Sequence, residues 1–257
     1  MTLSTLSGGS ICAIVTGHTR GLGAALADNL LARGIRVLGL ARNAHASLAT
    51  RHVTAFSQTV LDLADTAAID KWLTTDALRT FVGEADCVLL FNNAGTVDPI
   101  APCGTQDASV IARAIALNVA APLMLANALA SPRAASVKTT RRIMHVSSGA
   151  ARNAYAGWSV YCATKAALDH HARAVALEAP PGLRICSMAP GVVDTAMQAA
   201  IRSTSVEQFP LRERFEQLKQ NGQLTSPEAA AQQLIDYALS DAFGSTPIAD
   251  VRELAKS

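Results

Sequence analysis

Short apolar runs alternate with alanine-rich, helix-like stretches along most of this chain, and no other feature constrains its fold as strongly. The runs are Ile11–Val15, Arg36–Leu40, Val53–Ser57, Cys87–Phe91, Arg142–Val146 and Arg184–Met188. The stretches between them include Leu22–Arg33, Ala67–Leu78, Val110–Leu129 and Ala163–Leu177. Runs that are apolar along their length suit strands buried on both faces of a parallel sheet. The alternation therefore predicts an α/β fold, a doubly wound parallel sheet flanked by helices. Ligands in such sheets bind beyond the carboxyl ends of the strands, so the chemistry is sought just after each run.

The chain has 257 residues, half of them hydrophobic, enough for one large core without staples. We read 1–257 as a single domain. A net charge of +2, from 22 basic and 20 acidic residues, gives no reason to expect a nucleic-acid or membrane partner. The five cysteines are widely spaced with no C-x-x-C pair, which argues against a disulfide framework or a zinc site. The polar, uncharged stretch Met1–Ser10 does not read as a signal peptide, and with the cysteine usage it points to the cytoplasm. Ile111–Ala130 is the most apolar stretch, but Arg113, Asn118, Pro122 and Asn127 interrupt it, so we read a buried or interface helix. The six histidines lack ligand spacing, so no metal is expected. From 195 to 225 the chain turns polar and charged, as a helical insertion on the substrate side would; a lid and a solvated helix pair are both open readings.

Residues 16–23 read Thr-Gly-His-Thr-Arg-Gly-Leu-Gly, after a β run and at the start of a helix. Glycine permits a sharp turn and close approach to a pyrophosphate, and the helix N-terminus offers free N–H groups. The turn is therefore read as a dinucleotide site. About 20 residues on, NAD sites carry an acid for the ribose 2′-hydroxyl. Here Ala41, Arg42 and Asn43 stand in that place. A guanidinium pairs with a 2′-phosphate, and Arg20 can approach from the other side, so the cofactor read here is NADP(H).

Tyr161 and Lys165 lie four residues apart and so share one helix face. An ammonium beside a phenol is expected to lower its pKa toward neutrality and make it a workable acid or base. Ser148, at the end of a strand run, is placed to donate to a substrate carbonyl.

Thr16-Gly17-x-x-x-Gly21-x-Gly23, Asn92-Asn93-Ala94-Gly95, Asn118, Ser148, Tyr161/Lys165 and Pro190-Gly191 stand in the order and spacing of the short-chain dehydrogenase/reductase family, which the chain resembles over nearly its whole length. The resemblance implies a Rossmann-type fold and carbonyl reduction. It implies Tyr161 as proton donor, Lys165 as the group that tunes it and binds the nicotinamide ribose, Ser148 on the carbonyl oxygen, and Asn118 supporting a water relay. It implies cofactor contacts from Gly17, Thr19, Arg20, Gly21, Leu22 and Gly23; from Arg42 and Asn43; from Asp62 and Leu63 beside the adenine; from Asn93, Ala94 and Gly95; from Tyr161 and Lys165; and from Pro190, Gly191, Val193 and Thr195. Gly157-Trp158, Ala-Leu-Glu-Ala-Pro and Asp194-Thr195-Ala-Met197 narrow the likeness to the branch holding sepiapterin and diketone reductases. His18 departs from the pattern, where a small residue is usual, a change expected only to reshape the turn surface.

That branch implies an NADPH-dependent reductase of a ketone or vicinal dicarbonyl, working as a homodimer or a tetramer. Trp158 and Met197 are placed to wall the substrate, and Asp250 is the candidate anchor for a pterin edge. Reduction of another carbonyl class (diketone, quinone or 3-oxoacyl) and a non-catalytic cofactor-binding role are the alternatives.

Overall fold

The structure, a computed structural model, describes residues 9–136 and 138–254. Most of the Met1–Ser10 segment and the last three residues lie outside the described residues. In chain order the elements are β1 (Ile11–Thr16), α1 (Gly21–Ala32), β2 (Arg36–Ala41), α2 (Ala46–Arg51), β3 (Phe56–Val60), α3 (Thr66–Leu73), α4 (Ala77–Val82) and β4 (Cys87–Asn92). Then come α5 (Ala108–Ile115), a π-helical segment (Ala116–Ala120), α6 (Ala121–Ala130), β5 (Thr140–Val146), a short 3-10 turn (Gly149–Ala151), α7 (Ser159–Glu178) and β6 (Leu183–Ala189). The chain closes with α8 (Ala196–Arg202), α9 (Arg212–Gln220), α10 (Pro227–Leu239), β7 (Ile248–Asp250) and α11 (Val251–Leu254).

The seven strands form one parallel sheet in the order β3-β2-β1-β4-β5-β6-β7. The winding reverses between β1 and β4, which opens a crevice at their carboxyl ends. Successive strand residues face opposite sides, so Ala13 and Val15 enter one core and Cys12 and Ile14 the other. The first core is closed by Leu26 and Leu30 of α1 against Leu234 and Ile235 of α10, the second by Ile69 of α3 and Leu125 and Leu129 of α6.

The predicted class and six strands are observed, with two local differences. The third strand starts at Phe56, three residues later than its apolar run, and Val53 is 78% exposed. Its polar Ser57, Gln58 and Thr59 suit a sheet edge, where one side needs no apolar cover. The predicted helix 67–78 is two helices. At the break, the hydroxyls of Thr74 and Thr75 donate to the Lys71 and Trp72 carbonyls and compete with the helical ladder. β7, α2 and α10 were not among the elements expected from the sequence, although Ala230, Ala231, Leu234, Ile235 and Ala238 of α10 recur at helical spacing. For α10 a signal was present: Pro227 at the first helical position after Ser226, whose hydroxyl accepts the Ala229 N–H.

α5, the π segment and α6 make a continuous helix, Ala108–Ala130, long and apolar enough by length and composition to cross a membrane. It is built into the domain instead. Arg113 pairs with Asp62, Asn118 is buried, and α6 closes a core.

Candidate active site

A cleft of about 1010 Å³ runs across the carboxyl ends of the strands. At one end lies the glycine turn. Gly17 has φ +70°, and a Cβ there would press on the Ala94 backbone at 3.1 Å. A Cβ on Gly23 would fall 2.1 Å from the Gly17 carbonyl oxygen. Only bare backbone lets turn and helix pack this closely. The Thr16 hydroxyl accepts the N–H groups of Asn93 and Ala94, both at 2.9 Å, and so ties the β1 turn to the β4 turn. α1 begins after Arg20 with no side-chain cap and no acid in its first turn. Its leading N–H groups therefore face the cleft without intrahelical partners, a cradle that fits a pyrophosphate. Thr19, Arg20, Leu22, Arg42, Asn43, Asp62 and Leu63 line this end. Arg20 and Arg42 are exposed, and their side chains carry no hydrogen bond or ion pair among the described residues.

At the floor, α7 turns Tyr161 and Lys165 inward from one face. The Lys165 ammonium donates to the Val146 carbonyl at 2.7 Å and sits 5.7 Å from the centre of the Tyr161 ring. Ser148 caps the turn after β5 by accepting the Ala150 N–H at 3.1 Å. Burial pushes the Tyr161 phenol up to about 12, against the pull of its hydrogen bond with Ser148. The expected lowering toward neutrality is absent, because the ammonium is turned to a carbonyl and burial dominates. The phenol is therefore protonated at neutral pH. Burial also draws Lys165 down to about 8, opposed by the Asp169 carboxylate one turn along α7. The buried Asp169 accepts from Ser147 and Ser187, both at 2.7 Å.

Asn118 lies outside the cleft lining. From the π segment, its side chain accepts the Thr96 N–H and donates to the Thr96 carbonyl and the Thr164 hydroxyl. It clamps the loop after β4 to α7. π segments recur where a helix must aim a functional side chain. Asn93, Ala94, Gly95, Pro190, Gly191, Val193 and Thr195 line the cleft above this floor.

At the other end the wall is aromatic. Trp158 stacks on Phe209 with centroids 4.4 Å apart and meets Tyr161 edge-on at 5.3 Å; Tyr155 and Phe215 complete the group. Met197 lines the cleft beside them. Phe209 and Phe215 come from the charged segment 195–225. That excursion leaves at Val193 and returns at Thr225, which form a small parallel bridge. It is a wall of the cleft rather than a solvated appendage, with Ile201 and Phe209 fully buried.

The structure does not bring Asp250 into the cleft. Its carboxylate is 2% exposed and is gripped by Arg252 at 2.8 and 2.6 Å, and it is Arg252 that lines the cavity. His18 is not on the turn surface either. It is fully buried, bonded to Gln58 at 3.1 Å and set edge-on to Phe56, in space left by Gly39, where a Cβ would lie 2.5 Å from the ring. Tyr155, Phe209, Phe215 and Asp169 were missed. Asp169 alone had a local signal, four residues beyond Lys165. His145, also buried, bonds Asn92 and His171 at 3.1 and 3.0 Å.

A solved short-chain dehydrogenase/reductase from Burkholderia vietnamiensis is 57% identical, with a TM-score of 0.70 over 96% of this chain and 99% of that one. Benzil reductase ((S)-benzoin forming) of Bacillus subtilis (strain 168) is 35% identical over 225 residues, 86% of this chain and 90% of that protein. Sepiapterin reductase of Meriones unguiculatus is 32% identical over 253 residues, 93% and 96% of the two. The family model for short chain dehydrogenase matches residues 11–206, from the first strand to just past α8, and with this geometry it establishes that the chain is an oxidoreductase of the short-chain dehydrogenase family, whose members use nicotinamide cofactors.

Proposed function

We propose that the protein is an NADPH-dependent carbonyl reductase acting on hydrophobic, aryl-bearing vicinal dicarbonyls. One observation carries the reading: the buried, protonated Tyr161 phenol forms the floor beneath an aromatic wall of Tyr155, Trp158 and Phe215, backed by the buried Phe209. The reduced nicotinamide, when bound, supplies a hydride to the carbonyl carbon. Tyr161 delivers the proton to the carbonyl oxygen. Ser148 donates to the same oxygen, where negative charge develops. Lys165 holds a positive charge beneath them, and Asn118 keeps the Thr96 loop and α7 in register.

NADPH is read from Arg20 and Arg42, two unpaired cations at the adenosine end. The diketone is preferred to a pterin because the Asp250 carboxylate is already saturated by Arg252. The similarity to benzil reductases agrees with an aromatic diketone. We read the protein as cytoplasmic, in keeping with five free cysteines. We also read a homodimer. The apolar Ala108–Ala130 helix is only 28% buried in its most apolar window, and Val110, Ile115 and Leu177 are exposed on α5 and α7.

The test is NADPH consumption with benzil, sepiapterin, a quinone and an acetoacetyl thioester. Benzil is expected to give the highest kcat/KM. A higher value for sepiapterin would restore the pterin reading, and no turnover of any carbonyl would overturn the function.

A further inference from the structure

At the adenosine end of the cleft, three charged side chains from three elements stand in a row. Arg42 follows β2, Asp62 follows β3, and Arg113 lies on α5. Ala41 is paired with Val60, and the Leu61 N–H donates to the Ala41 carbonyl at 2.8 Å, so Arg42 and Asp62 leave the sheet side by side. Both line the cleft; Arg113 does not. Arg113 reaches Asp62 from behind, with Nη2 2.8 Å from Oδ2. The other oxygen, Oδ1, accepts the Ala64 N–H at 3.0 Å. Each Asp62 oxygen therefore has a partner other than Arg42.

We propose that Arg113 is a positioning residue for cofactor selection: by holding the Asp62 carboxylate against α5, it leaves Arg42 free to bind the 2′-phosphate. This rests on the NADPH reading above. A carboxylate beside the adenosine ribose has two effects that oppose NADPH. It repels a phosphate dianion, and it pairs with the arginine that would bind one. An unheld Asp62 would do both from one position beyond the neighbouring strand. Arg113 offsets its charge and points it away. Burial raises the Asp62 carboxyl, but the Ala64 N–H and the Arg113 and Arg42 guanidiniums outweigh that and hold it below the usual carboxylate range. Asp62 is thus an anion at neutral pH, and its charge has to be balanced by one arginine or the other.

The experiment measures equilibrium binding of 2′,5′-ADP and 5′-AMP to the whole protein by calorimetry, so it does not depend on turnover. Arg113→Gln is expected to lower the preference for 2′,5′-ADP by about 2- to 5-fold, the size of an exposed ion-pair effect. The effect should shrink in about 0.5 M salt, where the charges are screened. Arg113→Lys should keep the parent preference, and Asp62→Asn added to Arg113→Gln should restore it. A melting curve for each variant separates this from lost folding. An unchanged preference in a folded Arg113→Gln protein overturns the proposal, as does a double variant that stays impaired. If the parent itself prefers 5′-AMP, the NADPH reading fails and this inference with it. If the parent prefers 2′,5′-ADP and Arg42→Ala abolishes that while Arg113→Gln does not, only this inference fails.

Discussion

The two ends of the cleft are built by different means. The end proposed for the adenosine is mostly backbone: one glycine turn, one helix N-terminus and the mouths of adjacent parallel strands, with Arg20 and Arg42 set at the rim. The end proposed for the substrate is mostly side chain. Tyr155 and Trp158 precede α7, Phe209 and Phe215 come from the excursion after β6, and Val97 comes from the loop after β4. A backbone cradle is set by a contiguous sequence and tolerates few changes. An aromatic wall assembled from separate segments can be rebuilt by changing single side chains. The comparison suggests why the fold can keep one cofactor chemistry while its relatives act on different carbonyls.

The ends meet at Tyr161, and substitution there should do most damage. Tyr161→Phe removes the proton donor and keeps the ring, so kcat should fall by at least about 100-fold while cofactor affinity holds. Single-turnover rates with a fluorescence titration of NADPH would check both, and a variant that still turns over well would move the chemistry to another group. The next effect belongs to the adenosine end alone. Arg42→Asp should shift the ratio of kcat/KM for NADPH and NADH by at least about tenfold, or about 1.4 kcal/mol, without changing substrate preference.

At the other end, Phe215→Ala removes a ring contacting Trp158 and Phe209, a loss of about 0.5–1.5 kcal/mol for an aromatic pair. KM for a diaryl diketone should rise about 3- to 10-fold while KM for NADPH stays put; equal effects on both would mean that the ends are not separable. The mildest effect is that of pH. Reduction needs Lys165 charged and Tyr161 protonated. Lys165 loses its charge as pH rises through about 8, whereas Tyr161 keeps its proton to about 12. The rate of reduction should therefore be level near pH 7 and about halved at pH 8. A profile still rising above pH 8 would show that the phenolate, not the phenol, is the active form.

Legibility in the sequence follows the same division. Gly17, Gly21 and Gly23 were readable because the turn, its strand and its helix are consecutive. Tyr161 and Lys165 were readable because four residues on a helix is one turn. Phe209 and Phe215 were not, because their segment is dominated by charges and nothing local says which face meets Trp158. His18 was misplaced because the glycine that makes room for it, Gly39, lies on another strand. Asp250 was read as a pterin anchor, although the arginine that takes it is only two residues on. Pairing between close neighbours in a short strand and turn has no periodicity to announce it. The Tyr161 phenol was expected near neutrality because adjacency to Lys165 is visible in sequence and burial is not.

The central claim is that an NADPH site and an aromatic dicarbonyl site share one floor. It is tested most directly by the kcat/KM of the unaltered protein for benzil with NADPH and with NADH, measured side by side. The account predicts turnover to a hydroxyketone with NADPH favoured by at least about tenfold. Preference for NADH, or NADPH binding with no benzil reduction, would contradict it.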